Sequence, residues 1–119
     1  KPIILMRGLL YCILFYAIGQ ALTWFQTNGQ FLWPVFRKNQ ILVSIIGGTL
    51  ISYLFITATR FIAEYNNGLV WPGRFIGFSV GMVAFAIMTS FFLGEGINTK
   101  TLISLILSFV LIAVQLFWK

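Results

Sequence analysis

The sequence predicts an all-α integral membrane protein, a bundle of four transmembrane helices with both termini on the same side. The first observation is composition, since the chain is 60% hydrophobic and only 8% charged, whereas a soluble domain carries roughly 25% charged residues. The second is spacing. Eight basic and two acidic residues leave four long segments free of charge, each close to the roughly 20 helical residues that a bilayer core about 30 Å thick requires.

A closed β-barrel is the other structure that satisfies backbone hydrogen bonds inside a bilayer. Its strands would alternate polar and apolar residues, but Leu102–Phe109 is apolar at both parities. We therefore expect one membrane domain over residues 1–119, with helices at about Ile4–Phe25, Gln40–Arg60, Pro72–Leu93 and Asn98–Trp118.

The first span follows Lys1 and Arg7, a pattern that signal peptides share. No small-x-small cleavage site comes after it, so we expect it to remain as a helix. One face carries Tyr16 and Gln20, with Trp24 adjoining. The Gln20 carboxamide can bind a polar group but cannot exchange a proton.

The second span carries small residues at four-residue spacing, Ser44, Gly48 and Ser52, which is typical of a helix-packing surface. At its end, Arg60 and Glu64 are spaced for an ion pair if the helix continues. We expect either a solvated pair at the membrane surface or a lipid-headgroup site or gate. Other basic residues that could meet a lipid phosphate in the same way are Arg37, Lys38 and Arg74.

The third span follows the breaker Asn66-Asn67-Gly68, and Pro72 suits a first helical turn. Its stripe of small residues consists of Gly73, Gly77 and Gly81. Such a stripe lets another backbone approach closely. The partner could be another helix of the chain or a second protomer, or the stripe could face a substrate groove.

The fourth span follows Gly94-Glu95-Gly96, with Asn98 or Thr99 as its N-terminal cap. One side of it is polar, and we expect that side to face protein or water because an unpaired polar group in hydrocarbon is costly. Hydrogen bonds between helices are favoured over a pore lining. The polar positions are Thr101, Ser104, Ser108 and Gln115.

The chain has no His and no Asp, and its single cysteine is Cys12. These absences leave no metal site, no disulfide and no nucleophile with a neighbouring base, so we expect neither a cofactor nor an enzyme. The basic residues are too scattered for a nucleic-acid surface. Membrane lipids and other membrane chains are the expected partners. Five basic residues lie on the side of the termini and three on the other side, which favours cytoplasmic termini.

The stretch from the end of the third span into the fourth reads Phe-Phe-Leu-Gly-Glu-Gly-Ile-Asn-Thr-Lys-Thr-Leu-Ile-Ser-Leu-Ile-Leu, residues 91–107. With the length and the four tight helices, this stretch resembles the drug/metabolite transporter superfamily, in particular small four-helix members similar to the small multidrug resistance family. The resemblance implies a homodimer or hetero-pair, often antiparallel, with a shared chamber for amphipathic compounds or lipid-linked sugars, and a bacterial inner membrane location.

The multidrug members carry a Glu in the middle of the first helix, where the polar candidate here is Gln20. We therefore expect a transporter or flippase-like protein that is not coupled through an intramembrane carboxylate. Its chamber residues would be Tyr16, Gln20, Trp24 and Tyr53. The alternative is a non-catalytic accessory subunit of a larger membrane complex, because the sequence is chemically plain.

Overall fold

The structure, a computed structural model, describes the backbone of residues 3–118 and the side chains of residues 6–118. Lys1 and Lys119, which the charge argument uses, lie outside the described residues. Over the described range the chain forms helices and no strand, which confirms the all-α prediction. The helices are α1 (Ile3–Asn28), α2 (Pro34–Lys38), α3 (Gln40–Tyr65), α4 (Trp71–Met88) and α5 (Thr99–Phe117).

Four of these helical segments are long and apolar enough to cross a membrane. They cover Met6–Phe31, Gln40–Tyr65, Trp71–Leu93 and Thr99–Phe117, with mean hydropathies of 1.5, 2.1, 2.0 and 2.1. Their lengths of 19 to 26 residues suit a bilayer core about 30 Å thick. The predicted four-helix architecture is therefore confirmed.

Helix α3 runs five residues beyond the predicted end and stops at Tyr65. No breaker occurs before Asn66, whose side-chain amide donates to the Ile62 carbonyl at 3.0 Å. Asn67 and Gly68 then adopt φ angles of 58° and 89°, in the left-handed region that ends helices. Arg60 and Glu64 consequently share a helical turn.

Two local features were not predicted from the sequence. The short helix α2 begins at Pro34, whose fixed φ suits a first helical turn, within a segment that was expected to be a loop. A π-helical turn over Thr89–Leu93 continues α4, and it ends at Gly94 with a φ of 71°.

Helix α1 is the central element of the bundle, since it packs against both α3 and α4 while α3 and α4 also touch each other. Helix α5 packs on α4. The core lies between the first three long helices. Its buried members are Cys12, Tyr16, Ala58, Ile62 and Ile76.

The glycine stripe of α4 faces α1 directly. A Cβ at Gly77 would lie 3.0 Å from Cε1 of Tyr16, and a Cβ at Gly81 would lie 2.7 Å from Cδ of Gln20. Both distances are too short for ordinary packing. The stripe therefore serves a close contact within the chain, one of the three uses that the sequence left open.

The small-residue stripe of α3 behaves differently, because it lies on the outer surface of that helix. Ser44 and Ser52 are exposed, and the Ser44 hydroxyl donates to the Gln40 carbonyl of its own helix at 2.8 Å. The α1 contact instead uses other positions of α3. Its buried apolar residues are Ile51, Leu54, Ala58 and Ile62.

Helix α5 begins as predicted, with Asn98 as the cap, since its side-chain oxygen accepts from the Thr101 backbone N–H at 2.8 Å. Along its polar side, Ser108 is buried and its carbonyl accepts from the Ser79 hydroxyl of α4 at 2.8 Å. Ser104 is exposed and donates to the Lys100 carbonyl of the same helix. The Ser108 hydroxyl donates to the Ser104 carbonyl of its own helix at 3.1 Å. The bond between α4 and α5 therefore uses a backbone carbonyl of α5, and neither the Ser104 nor the Ser108 side chain makes the expected hydrogen bond to another helix within the described range.

We predict that Gly77→Leu lowers the free energy of unfolding by about 1 to 3 kcal/mol, the usual cost of overpacking, because the leucine would overlap the Tyr16 ring. Unfolding in mixed micelles of increasing denaturing detergent measures the change. Gly48→Leu is the matched control, since it adds the same side chain and the same helix propensity where a Cβ would lie 3.7 Å from the nearest side-chain atom. Equal losses in both variants would contradict the packing role of Gly77.

Candidate functional site

A groove between α3 and α4, with α1 as its floor, combines polar and apolar lining residues. Its volume is about 580 Å³, within the range of about 300 to 1,000 Å³ typical of small-molecule sites. It is open along one side. Its lining consists of Tyr16, Gln20, Phe55, Thr59, Val70, Gly73, Arg74, Gly77 and Phe78.

The shape of the groove follows from residue spacing on the two walls. On α4, Gly73 and Gly77 are one turn apart and present no side chain, so this wall is flat. On α3, Phe55 and Thr59 are also one turn apart and share a face. An aromatic ring on either side, from Phe55 and from Phe78, supplies most of the apolar surface.

The floor of the groove is polar. The hydroxyl groups of Tyr16 and Thr59 form a hydrogen bond at 3.1 Å, and Nε2 of Gln20 donates to the Gly77 carbonyl at 3.3 Å. No described residue donates a hydrogen bond to Oε1 of Gln20. That oxygen is available to accept from a hydroxyl or amide group of a ligand.

Arg74 supplies the charge of the groove. It lies in the first turn of α4 and is exposed, so its guanidinium is at one end of the membrane-crossing segment. The groove lining contains no acidic residue. The arrangement gives one positive end, a hydrogen-bonding floor and apolar walls.

The structure brings together in the groove Tyr16 and Gln20, two of the four residues expected to line a chamber. Trp24 is one turn farther along α1, 2% exposed, and its Nε1 donates to Oγ1 of Thr89 at 2.8 Å. It contributes with Gln20 to a smaller concavity of about 60 Å³. Trp24 therefore lies beside the groove and does not line it.

Tyr53 is not brought together with the other three residues. It is 65% exposed on the outer surface of α3, where it lines a shallow concavity with Ser44, Gly48 and Ser52. The reason is helical geometry. Phe55 faces the groove, and a residue two positions away points about 200° around the helix.

Arg60 and Glu64 lie outside the groove, at the end of α3. Their closest charged atoms, Nε and Oε1, are 4.0 Å apart, and the side chains are 65% and 61% exposed. The Arg60 guanidinium lies 5.2 Å from the ring centroid of Phe61. A solvent-exposed pair of this kind contributes little to stability, and the position is consistent with a membrane surface.

Four lining residues were not predicted from the sequence, namely Phe55, Thr59, Val70 and Phe78. Arg74 was named only as one of several phosphate-binding candidates. The available signal was the four-residue spacing of Phe55 with Thr59, and of Arg74 with Phe78. Spacing of this kind places two residues on one face. It does not say whether that face points inward, because both sides of a membrane helix are apolar.

A second concavity, of about 400 Å³, lies between α1 and α3 beside α2. Its walls are almost entirely apolar, with Phe25, Phe36 and Leu42 among them. The nearby Gln26 side chain donates to the Val43 carbonyl at 3.5 Å. No charged side chain among the described residues lines this site, so it is less suited to orienting a ligand than the groove between α3 and α4.

Comparison of the chain with protein-family models, curated proteins and solved structures finds no match. The side chains of the groove can bind a molecule that has both polar and apolar parts. They offer no nucleophile with a neighbouring base.

We predict that Thr89→Val lowers the free energy of unfolding by about 1 to 3 kcal/mol, because it leaves the buried Trp24 N–H without an acceptor. Unfolding in mixed micelles measures the loss. Thr49→Val is the control, since this exposed hydroxyl bonds only to its own helix at Ile45. The double variant Trp24→Phe with Thr89→Val should lose less unfolding free energy than the sum of the losses in the two single variants. Strict additivity would argue against the hydrogen bond.

Proposed function

We propose that this protein is a small integral membrane transporter or flippase-like protein for amphipathic small molecules or lipid-linked compounds. The observation that carries the proposal is the groove between α3 and α4. It joins a charged end, a polar floor and aromatic walls within a bundle of membrane-crossing helices. A polar head and an apolar tail can both be accommodated there, while the open side gives the tail access to lipid.

The proposed movement is alternating exposure of the groove. Cargo enters at the Arg74 end, and the opposite end is closed by an aromatic cluster of Trp24, Phe25, Trp33 and Phe92. Ring centroids in this cluster lie 5.4 Å apart for Trp24 with Phe92 and for Phe25 with Phe92. Rocking of α4 against α1 along the glycine stripe would open the cluster and close the Arg74 end.

The driving force does not involve an intramembrane acid in this proposal. Both acidic residues, Glu64 and Glu95, lie at helix ends or in a loop, and the chain has no His. The polar group in the middle of α1 is the Gln20 carboxamide, which does not titrate. Movement down a concentration gradient is the simplest mode for such a site.

Association with a second copy is part of the same proposal. The stripe on α3, with exposed Ser44 and Ser52 and half-buried Gly48, offers a surface on which another helix can approach closely. The resemblance to small four-helix transporters also favours a homodimer. We place the protein in a bacterial inner membrane with cytoplasmic termini.

An accessory subunit of a larger membrane complex is the second candidate. The observation that favours it is the same outward stripe of α3, because a foreign helix could cover it as well as a second copy could. Mass measurement of the complex purified in mild detergent separates the two. A homodimer supports the transporter, and stoichiometric foreign chains support the subunit.

We predict that Tyr16→Phe and Gln20→Ala slow the movement of a fluorescent short-chain lipid in proteoliposomes by about tenfold, the effect of losing one or two hydrogen bonds to the moving head. Chemical quenching of the outer leaflet measures the rate. Tyr53→Phe is matched to Tyr16→Phe, because it removes the same hydroxyl from the outer surface. Unchanged rates in both groove variants, or an equal loss in Tyr53→Phe, would remove the groove from the transport path.

We predict that the rate of lipid movement in proteoliposomes does not respond to a pH gradient across the vesicle membrane. An exchange that uses a carboxylate would stop when the proton gradient is collapsed by an ionophore. The groove has no carboxylate or imidazole to carry the proton. A rate that falls when the gradient is collapsed at constant mean pH would contradict the proposed mode.

A further inference from the structure

We propose that the groove between α3 and α4 selects amphiphiles whose head is an anion, a phosphate or carboxylate that binds the Arg74 guanidinium. This inference deepens the proposed function and rests on it, since it names the chemical class of the cargo. Three observations carry it: the sign of the charge in the groove, the positions of both acids, and the order of polar and apolar groups along its length.

The groove has a net positive charge. Arg74 is its one charged lining residue among those described. The guanidinium stays protonated at any physiological pH and presents a planar fork of donors that matches two oxygens of a carboxylate or phosphate. The positive end of the α4 dipole has the same sign, since Arg74 lies in the first turn.

Neither acidic residue neutralises this charge from inside the groove. Glu64 belongs to α3, is 61% exposed and lies 4.0 Å from Arg60, outside the lining. Glu95 follows the far end of α4, a distance on the order of 30 Å from Arg74 along the helix axis. Charges so far apart are screened at physiological salt. A cationic head would therefore meet repulsion with no compensating carboxylate.

Along the groove, the charged group lies at one end and the hydrogen-bonding groups lie farther along α4. Arg74 and Gly81 are seven residues apart, about 10 Å along a helix, and Gln20 packs over Gly81. A ligand anion at Arg74 thus leaves room for a hydroxyl or amide group that reaches the floor at Tyr16 and Gln20. The rings of Phe55 and Phe78 then contact the apolar part of the ligand.

Two probes with the same tail test the sign of the charge. The full chain is purified in a neutral detergent, and its unfolding midpoint is measured with increasing dodecyl phosphate or dodecyltrimethylammonium. Stabilisation by a ligand grows with its concentration relative to its dissociation constant. We expect dodecyl phosphate to bind at least about tenfold more tightly than the cation, the scale of one charge-assisted hydrogen bond.

Arginine variants assign the effect to the groove. We expect Arg74→Gln to weaken dodecyl phosphate binding by at least about tenfold and Arg74→Lys to keep part of the affinity. Arg60→Gln is the matched control, an exposed arginine at the same end of the bundle that does not line the groove, and it should bind as the wild type does. Arg74 is exposed, so its variants should fold, and circular dichroism checks this.

Three outcomes would overturn the inference. The first is equal binding of the anionic and cationic probes. The second is an equal loss in Arg60→Gln and Arg74→Gln, which would indicate general surface charge. The third is stabilisation by inorganic phosphate as strong as that by dodecyl phosphate at the same concentration, since a free anion would then need no apolar walls.

Failure of this inference differs from failure of the proposed function. If dodecyl phosphate does not bind through Arg74 while Tyr16→Phe still slows lipid movement, the cargo is not anionic and the transport proposal stands. If dodecyl phosphate binds through Arg74 but no lipid or probe crosses the vesicle wall, the anion site stands and transport fails.

Discussion

The close approach of α4 to α1 is the contact on which the rest of the structure depends. It is possible because Gly77 and Gly81 carry no side chain, so Tyr16 and Gln20 can lie directly over the α4 backbone. The same contact holds these two polar residues at the floor of the groove. It also sets the separation of α3 and α4, since both pack on α1. Larger residues on this stripe would alter the fold and the site together.

Side-chain hydrogen bonds connect α1 to α3, α1 to the end of α4, and α4 to α5. Bonds of this kind average only about 0.6 kcal/mol in membrane proteins, so their main effect is to select one rotation of each helix over others with similar apolar packing. The bonds are Tyr16 with Thr59 between α1 and α3, Trp24 with Thr89 between α1 and the end of α4, and Ser79 with Ser108 between α4 and α5.

The spacing of charges predicted the four long helices, and local chemistry predicted the Asn98 cap, because both depend on residues that are neighbours in the sequence. Helix rotation was harder to predict. A membrane helix is apolar on its inner and outer sides, so the sequence did not show that Tyr53, which was expected to line a chamber, faces outward while Phe55 faces the groove. For the same reason, the glycines of α4 and the small residues of α3 looked alike, although only the glycines of α4 make a contact too close for a Cβ.

The neutral side chain at Gln20 and the cation at Arg74 suit one another. A carboxylate in place of the Gln20 amide would lie in the same groove as Arg74 and compete with an anionic head for the guanidinium. It would also carry a large desolvation cost so far inside the bundle. The carboxamide supplies a hydrogen-bond acceptor of similar shape without cancelling the positive charge. A groove that binds cations would need the opposite arrangement, an internal acid and no arginine at its mouth, so the neutral Gln20 and the position of Arg74 both agree with the proposed anionic cargo.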